Sequence, residues 1–324
     1  MLIKLVTQVL CVRRYKIIRK LIIYFSLCLT ISLCLTGCTL FDKVKETSFF
    51  NSEQSNSNNN DTTNNSSSNK NSSVDDNSNK NSTNKKTVTD YNDKDNEITS
   101  WFYMPNDTHT TPDINPKLTY DLSNYNAIYN GHINESTKTL YLTFDEGYEN
   151  GYTSKILDVL KEKNVKAVFF VTSYYLEKNP DLVKRMVDEG HIVGNHSKTH
   201  SSMPTLTYDM NKFKEEFSDV ESKYKEITGL DMKKFFRPPM GYYSEKSLAM
   251  TNDLGYKTVF WSFAYDDWDP EKQPEVNYAK NKILDNLHNG SILLLHAVSK
   301  TNTEILGDVI DSARDAGYEF KLLN

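Results

Sequence analysis

Beyond Cys38 the 324-residue chain has no cysteine; Cys11, Cys28, Cys34 and Cys38 are its whole complement. An internal disulfide in the exported chain, a thiolate zinc site and a cysteine nucleophile are thereby excluded together. Basic residues are in deficit, with 38 Lys and Arg against 43 Asp and Glu, which argues against nucleic acid as a partner. Apolar residues are almost missing from about Asp42 to Ile98, where Asn, Ser, Thr, Lys and Asp predominate. Such a stretch buries too little to offset chain entropy and reads as a disordered tether, residues 38–98, with an r.m.s. span on the order of 40 Å.

The first 37 residues have a different character. Lys4, Arg13, Arg14, Lys16, Arg19 and Lys20 precede an uncharged apolar run from Leu21 to Leu35, the pattern of a targeting segment. The run ends in Leu35-Thr36-Gly37-Cys38, which resembles a bacterial lipobox and implies cleavage before Cys38 with a lipid on its sulfur. The alternative is an uncleaved signal anchor. The six basic residues are the only charges in the leader, so its removal moves the formal charge from -5 to -11. Lipid and tether together place the rest of the chain outside the cell, bound to a bilayer and within reach of a wall.

Trp101-Phe102-Tyr103 restores hydrophobicity, and residues 99–138, with Pro105, Pro112 and Pro116, read as an irregular arm packed on the carboxy-terminal domain. His109 and His132 lie in it without metal-ligand spacing. From Thr139 onward, short β-prone runs alternate with helical ones, the signature of β-α units around a mainly parallel sheet. Seven strands are expected, over Thr139–Phe144, Ala167–Val171, His191–Gly194, Lys234–Phe236, Lys257–Ser262, Ser291–Leu295 and Glu319–Leu322. Helices are expected around Thr153–Lys163, Pro180–Glu189, Asp209–Thr228, Ser244–Leu254, Val276–Leu287 and Thr303–Ala316. Asn179 and Asp209 are candidate helix caps, and Gly229 is a candidate helix end. Seven strands in residues 139–324 suffice for one α/β domain, a distorted (β/α) barrel.

In such barrels the reactive groups follow the strands. Asp145 and Glu146 follow the first strand; His196 and His200 follow the third, at a spacing that lets two imidazoles share an ion. Arg237 and Met240 follow the fourth, Asp267 and Trp268 the fifth, and His296 the sixth. Taken singly, each has a plain structural reading: solvated acids at a strand end, a coincidental His pair, a strand-capping Arg, a core Trp or a core His. Their arrival at one end of one barrel favours an active site.

Thr143-Phe144-Asp145-x-Gly147, His196-Ser197-x-x-His200, Arg237-Pro238-Pro239-x-Gly241, Asp267-Trp268 and Leu293-x-Leu295-His296 resemble, in order and spacing, the five motifs of polysaccharide deacetylases of carbohydrate esterase family four, the NodB-homology domain. The resemblance runs from about Thr139 to the end. Within it, the run Asp145 to Tyr152, Phe260-Trp261-Ser262 and the arm from Trp101 look most like the muramic acid deacetylases that prepare the δ-lactam of spore cortex.

The resemblance implies an exported amide hydrolase with Asp145 as general base, Arg237 orienting it, and His296 as general acid held protonated by Asp267. It implies a divalent ion, usually zinc, on His196 and His200, an oxyanion contact from the Met240 backbone, and an acetyl pocket lined by Trp268 and Leu295. Two positions depart from the pattern: Glu146 stands where the family has a metal-binding Asp, and Ala264 where it has the first acid of Asp-x-x-Asp-Trp. The extra methylene moves the Glu146 carboxylate by about 1.3–1.5 Å, large against the tolerance of a metal–oxygen bond. Glu146 is therefore a ligand, a ligand through water, or none. The implied substrate is peptidoglycan, as N-acetylmuramic acid in strands already stripped of peptide by an amidase. Acetylglucosamine in peptidoglycan or chitin-like oligomers is the alternative, and a non-catalytic glycan-binding lipoprotein is a third reading.

Overall fold

A computed structural model describes residues 90–133 and 136–324. The leader, the lipobox and most of the tether lie outside those residues.

The β-α pattern forms a sheet of eight strands, every pair parallel. They are β1 (Ala127–Ile128), β2 (Lys138–Glu146), β3 (Val168–Val171), β4 (Ile192–Asn195), β5 (Phe235–Phe236), β6 (Lys257–Val259), β7 (Ser291–His296) and β8 (Tyr318–Phe320). Their order is β7-β2-β3-β4-β5-β6-β1, with β8 beside the start of β2. The sheet curls until the chain after β6 meets β7: Ser262 N–H donates to the Ile292 carbonyl at 3.1 Å, and Leu294 N–H to that of Phe263 at 2.8 Å. Seven of the strands are those expected from sequence. The eighth, β1, comes from the segment read as an irregular arm.

Around the sheet lie α1 (Thr153–Glu162), α2 (Ser173–Lys178), α3 (Pro180–Asp188), α4 (Met210–Thr228), α5 (Glu245–Asp253), α6 (Val276–Leu284) and α7 (Lys300–Asp315). Asp209 caps α4 as expected, accepting from the N–H groups of Asn211 and Lys212, and Gly229 ends that helix at φ 74°. Asn179 differs from expectation. Pro180 does open α3, but the Asn179 side chain makes no cap bond there and donates back to the Tyr175 carbonyl at the end of α2, a short helix the sequence pattern did not disclose. Helix α7 starts three residues earlier than expected because Ser299 accepts from the Asn302 N–H.

Strand β2 is buried from Thr139 to Glu146, as in a parallel sheet covered on both faces. Successive side chains point to opposite faces. Leu140, Leu142 and Phe144 join Ile156, Leu157 and Leu160 of α1 in the outer core. Tyr141 joins Val168, Phe170, Phe235, Val259 and Ile292 inside the curl. The same alternation sends Ile292 inward and Leu293 and Leu295 outward on β7.

The arm is bound tightly to the barrel. Thr99–Ser100 pairs antiparallel with Tyr242–Tyr243; Trp101 stacks on Phe260 at 4.2 Å and donates its indole N–H to the Trp261 carbonyl at 2.9 Å. The Tyr103 hydroxyl donates to the Ala264 carbonyl at 3.0 Å and accepts from the Ala264 N–H at 2.9 Å. Ala264, the position lacking the family's acid, is thus held through its backbone. Gly241 lies under this packing at φ 67°, where an added Cβ would stand 2.9 Å from the Trp261 ring and 3.1 Å from the Trp101 Cβ. Strain and clash together predict that Gly241→Ala lowers the melting temperature by roughly 2–12 °C, from a cost of about 1–3 kcal/mol; an unchanged thermal melt would contradict this packing.

Candidate active site

Asp145, the last residue but one of β2, faces the interior, 7% exposed. Behind it, fully buried Arg237 gives Asp145 Oδ1 a hydrogen bond of 2.7 Å from Nη1. The remaining guanidinium donors reach the Val259 and Phe260 carbonyls, and the plane sits 4.2 Å from the Phe170 ring centroid. Burial alone would raise the Asp145 carboxyl. Arg237 first, then His196 and His296, outweigh burial and hold it below the usual carboxylate range. The pair is therefore ionised, with Oδ1 committed and Oδ2 turned toward His196 Nε2 at 3.6 Å.

His196 and His200 come from a turn built by its neighbours. Ser197 N–H donates to Asn195 Oδ1, His200 N–H donates to Ser197 Oγ, and Glu216, arriving from α4, accepts from the Thr199 N–H and hydroxyl. Ser197 and His200 take φ of 70° and 57°, strained values for side-chain-bearing residues that cluster at functional sites. The two rings lie 4.9 Å apart and nearly perpendicular. His196 Nδ1 pairs with the Arg237 carbonyl at 2.8 Å; since a carbonyl only accepts, Nδ1 carries the proton and Nε2 offers a lone pair. Burial lowers His196 to about 4, and burial lowers His200 too. Both are neutral imidazoles at pH 7.

His296 is the register partner of Asp145 on the neighbouring strand, so the two emerge side by side on the inner face. Its Nδ1 meets Asp267 Oδ1 at 2.7 Å, and its N–H donates to Asp267 Oδ2 at 2.9 Å. Burial would lower His296, but Asp267, and more weakly Asp145, raise it above its ordinary value. These groups open into a cleft of about 1200 Å³, bordered by half-exposed Met240, at φ 57°, and by Trp268. Leu295 does not reach it. The alternation of β7 turns Leu295 into the outer core, and Leu294 lines the cleft in its place.

A polysaccharide deacetylase family model matches residues 132–259. The peptidoglycan-N-acetylmuramic acid deacetylase PdaA of Bacillus subtilis is 43% identical over 229 residues, 71% of this chain and 86% of that protein. The chain belongs to the polysaccharide deacetylase family. The solved structure of B. subtilis PdaA, a family 4 carbohydrate esterase, superposes with a TM-score of 0.66 at 42% identity, covering 70% of this chain and 96% of that one. A peptidoglycan-N-acetylglucosamine deacetylase of Bacillus cereus is 32% identical over 186 residues, 56% of this chain and 66% of that protein.

Within this family member, Glu146 departs from the expectation of a metal ligand. It follows Asp145 directly on β2, so it faces the other way, is fully buried and lies among Thr153, Glu149 and Tyr175. Among the described residues no cluster of three His, Cys, Asp or Glu side chains is arranged for a metal. Residues the sequence pattern did not mark include Glu216, Tyr265 and Asn302. Burial, then repulsion from Glu149, raises the Glu146 carboxyl well above its ordinary 4.5, so the folded chain keeps a proton that the unfolded chain releases. Stability contributed by this proton is complete below pH 4.5 and declines as pH rises. Glu146→Gln is accordingly expected to gain thermal stability over the native chain at pH 7 and almost none at pH 4; equal differences at both would show Glu146 to be charged in place.

Proposed function

We propose that this chain is an exported peptidoglycan deacetylase that removes the N-acetyl group from N-acetylmuramic acid in strands stripped of peptide. One observation carries the catalytic part: an ionised carboxylate, Asp145, and an imidazole biased toward its charged form, His296, stand side by side on neighbouring strands, each with its own buried counter-charge. Two groups with affinities pushed apart in this way suit a base and an acid working at one pH. The likeness to PdaA, whose name states its sugar, supports the muramic reading.

Asp145 Oδ2 accepts a proton from the attacking water while Arg237 retains Oδ1. The oxygen adds to the acetyl carbonyl carbon, and the Met240 backbone N–H faces the developing oxyanion, leaving its side chain free to be apolar. His296 gives the Nε2 proton to the departing nitrogen as the C–N bond breaks, releasing acetate and a free amine. Trp268 closes one wall of the acetyl pocket.

Family 4 deacetylases are metal-dependent, and the donors here fit an ion: His196 and His200 are neutral, close together, and His196 has Nε2 free. Those two residues would hold it, Glu146 would not, and a bound divalent ion such as zinc would polarise the acetyl group and lower the pKa of water.

The amine exposed on muramic acid is the group that would close on the lactyl carboxylate to form the δ-lactam of spore cortex, after an amidase has removed the peptide. Leader, lipobox and tether support lipidation at Cys38 and action on the outer face of a membrane, at the wall or in the forespore intermembrane space. The B. cereus relative named for N-acetylglucosamine supports the second reading.

Mass spectrometry of peptide-free and peptide-bearing glycans after incubation is expected to show deacetylated muramic acid only in the peptide-free material. Deacetylation confined to glucosamine selects the second reading, and equal acetate release from the native chain, Asp145→Asn and His296→Ala rejects catalysis altogether. Because Asp267 holds His296 above its ordinary value, Asp267→Asn is expected to move the alkaline limb of the rate profile to lower pH, with kcat reduced about 10²–10⁴-fold; an unmoved limb removes His296 as the acid.

A further inference from the structure

The Asp267–His296 pair has support of its own. Asn302, fully buried in the first turn of α7, donates from Nδ2 to Asp267 Oδ2 at 2.5 Å and to the His296 carbonyl at 3.2 Å. Its Oδ1 accepts from the Tyr265 hydroxyl. Both amide protons and the amide oxygen are therefore engaged, and they join three residues from two places in the chain: Tyr265 and Asp267 in the loop after β6, and His296 at the end of β7. The backbone repeats the connection. Gln273 Nε2 donates to the Asp267 carbonyl at 3.1 Å, while Gln273 Oε1 accepts from the Ser299 hydroxyl at 2.6 Å and from the Thr301 N–H.

We propose that Asn302, oriented by Tyr265, is a positioning residue for deacetylation: it fixes Asp267 so that one carboxylate oxygen faces His296 Nδ1. This rests on the reading of His296 as the acid only for its kinetic consequence.

The chemistry of the position is restrictive. Asp267 Oδ1 is used by His296 Nδ1, and Oδ2 by the His296 N–H and Asn302. A rotation of the carboxylate about its axis would break all three contacts, and Asn302 is the side chain that opposes it. An amide is needed because the site calls for two donors and an acceptor on one planar group. A carboxylate there would face Asp267 across a hydrogen-bond distance with no proton between them, and a hydroxyl would be too short to span both partners. With Nδ1 held by Asp267, the mobile proton of His296 is on Nε2, on the side of the cleft. The other charged or titratable groups around His296 are Asp145, Arg237 and His200; none of them touches Asp267, so they do not fix its orientation.

The test uses the chain as exported, with histidine labelled for NMR, and compares Asn302→Ala and Tyr265→Phe with the native protein. In folded Asn302→Ala, the His296 titration midpoint is expected to fall toward that of an ordinary imidazole. The kcat is expected to drop about 10- to 100-fold, part of what acid catalysis contributes, with KM within about twofold. Tyr265→Phe, which leaves the amide in place but frees its oxygen, is expected to move both in the same direction by less. A residue that merely held the loop would lower the melting temperature and leave the His296 titration unchanged at temperatures where the protein is folded. That result, in either variant, overturns the proposal; should Asn302→Ala not fold, Tyr265→Phe decides it alone. A shifted His296 titration with unchanged kcat supports the positioning role and rejects His296 as the acid, so the two readings fail separately.

Discussion

Arg237 is the constraint on which the rest of the site depends. Its guanidinium is sealed from water, and every direction it points to is a strand end: Asp145 on β2, the carbonyls of Val259 and Phe260 at β6, and the face of Phe170 from β3. Its own carbonyl receives His196 from the chain after β4. Burying such a charge costs several kcal/mol unless geometry and hydrogen bonding offset it. Here one residue after β5 orients the Asp145 carboxylate and fixes the tautomer of the first histidine. The two prolines after it suit the place: Pro238 and Pro239 need no N–H partners where the acceptors are already allotted.

A second constraint is the period of the strand. Adjacent residues on β2 cannot share a face, so Asp145 and Glu146 enter opposite environments. One meets a cation and ionises; the other meets a helix start and keeps its proton. Asp145 and His296, by contrast, are neighbours across strands and share a face. The chemistry is assembled sideways, from strand to strand, with buried partners setting opposite charge preferences on the two.

The sequence disclosed what periodicity and spacing carry. The seven barrel strands, the cap at Asp209 and the joint position of Asp145, His196, His200, Arg237, Asp267 and His296 are all legible, because each follows a β-prone run. Strand β1 is not: two residues among prolines and tyrosines have no period to read. Only the family motif assigns Leu295 to the cleft; alternation from His296 puts it on the other face. Asn302 is invisible for another reason. Its partners, Tyr265 and Asp267, are more than thirty positions away in the chain, and an Asn near a helix start has many ordinary uses.

The amino-terminal arm has a wider consequence. The family match begins at residue 132, yet Trp101 and Tyr103 hold the backbone at Trp261 and Ala264, and Thr99–Ser100 extends the ribbon behind Met240. The loops that border the cleft are therefore clamped by a segment that lies before the family match. From Thr99 onward a change in the arm is also a change at Trp261 and Ala264, so arm and cleft are a single inherited unit.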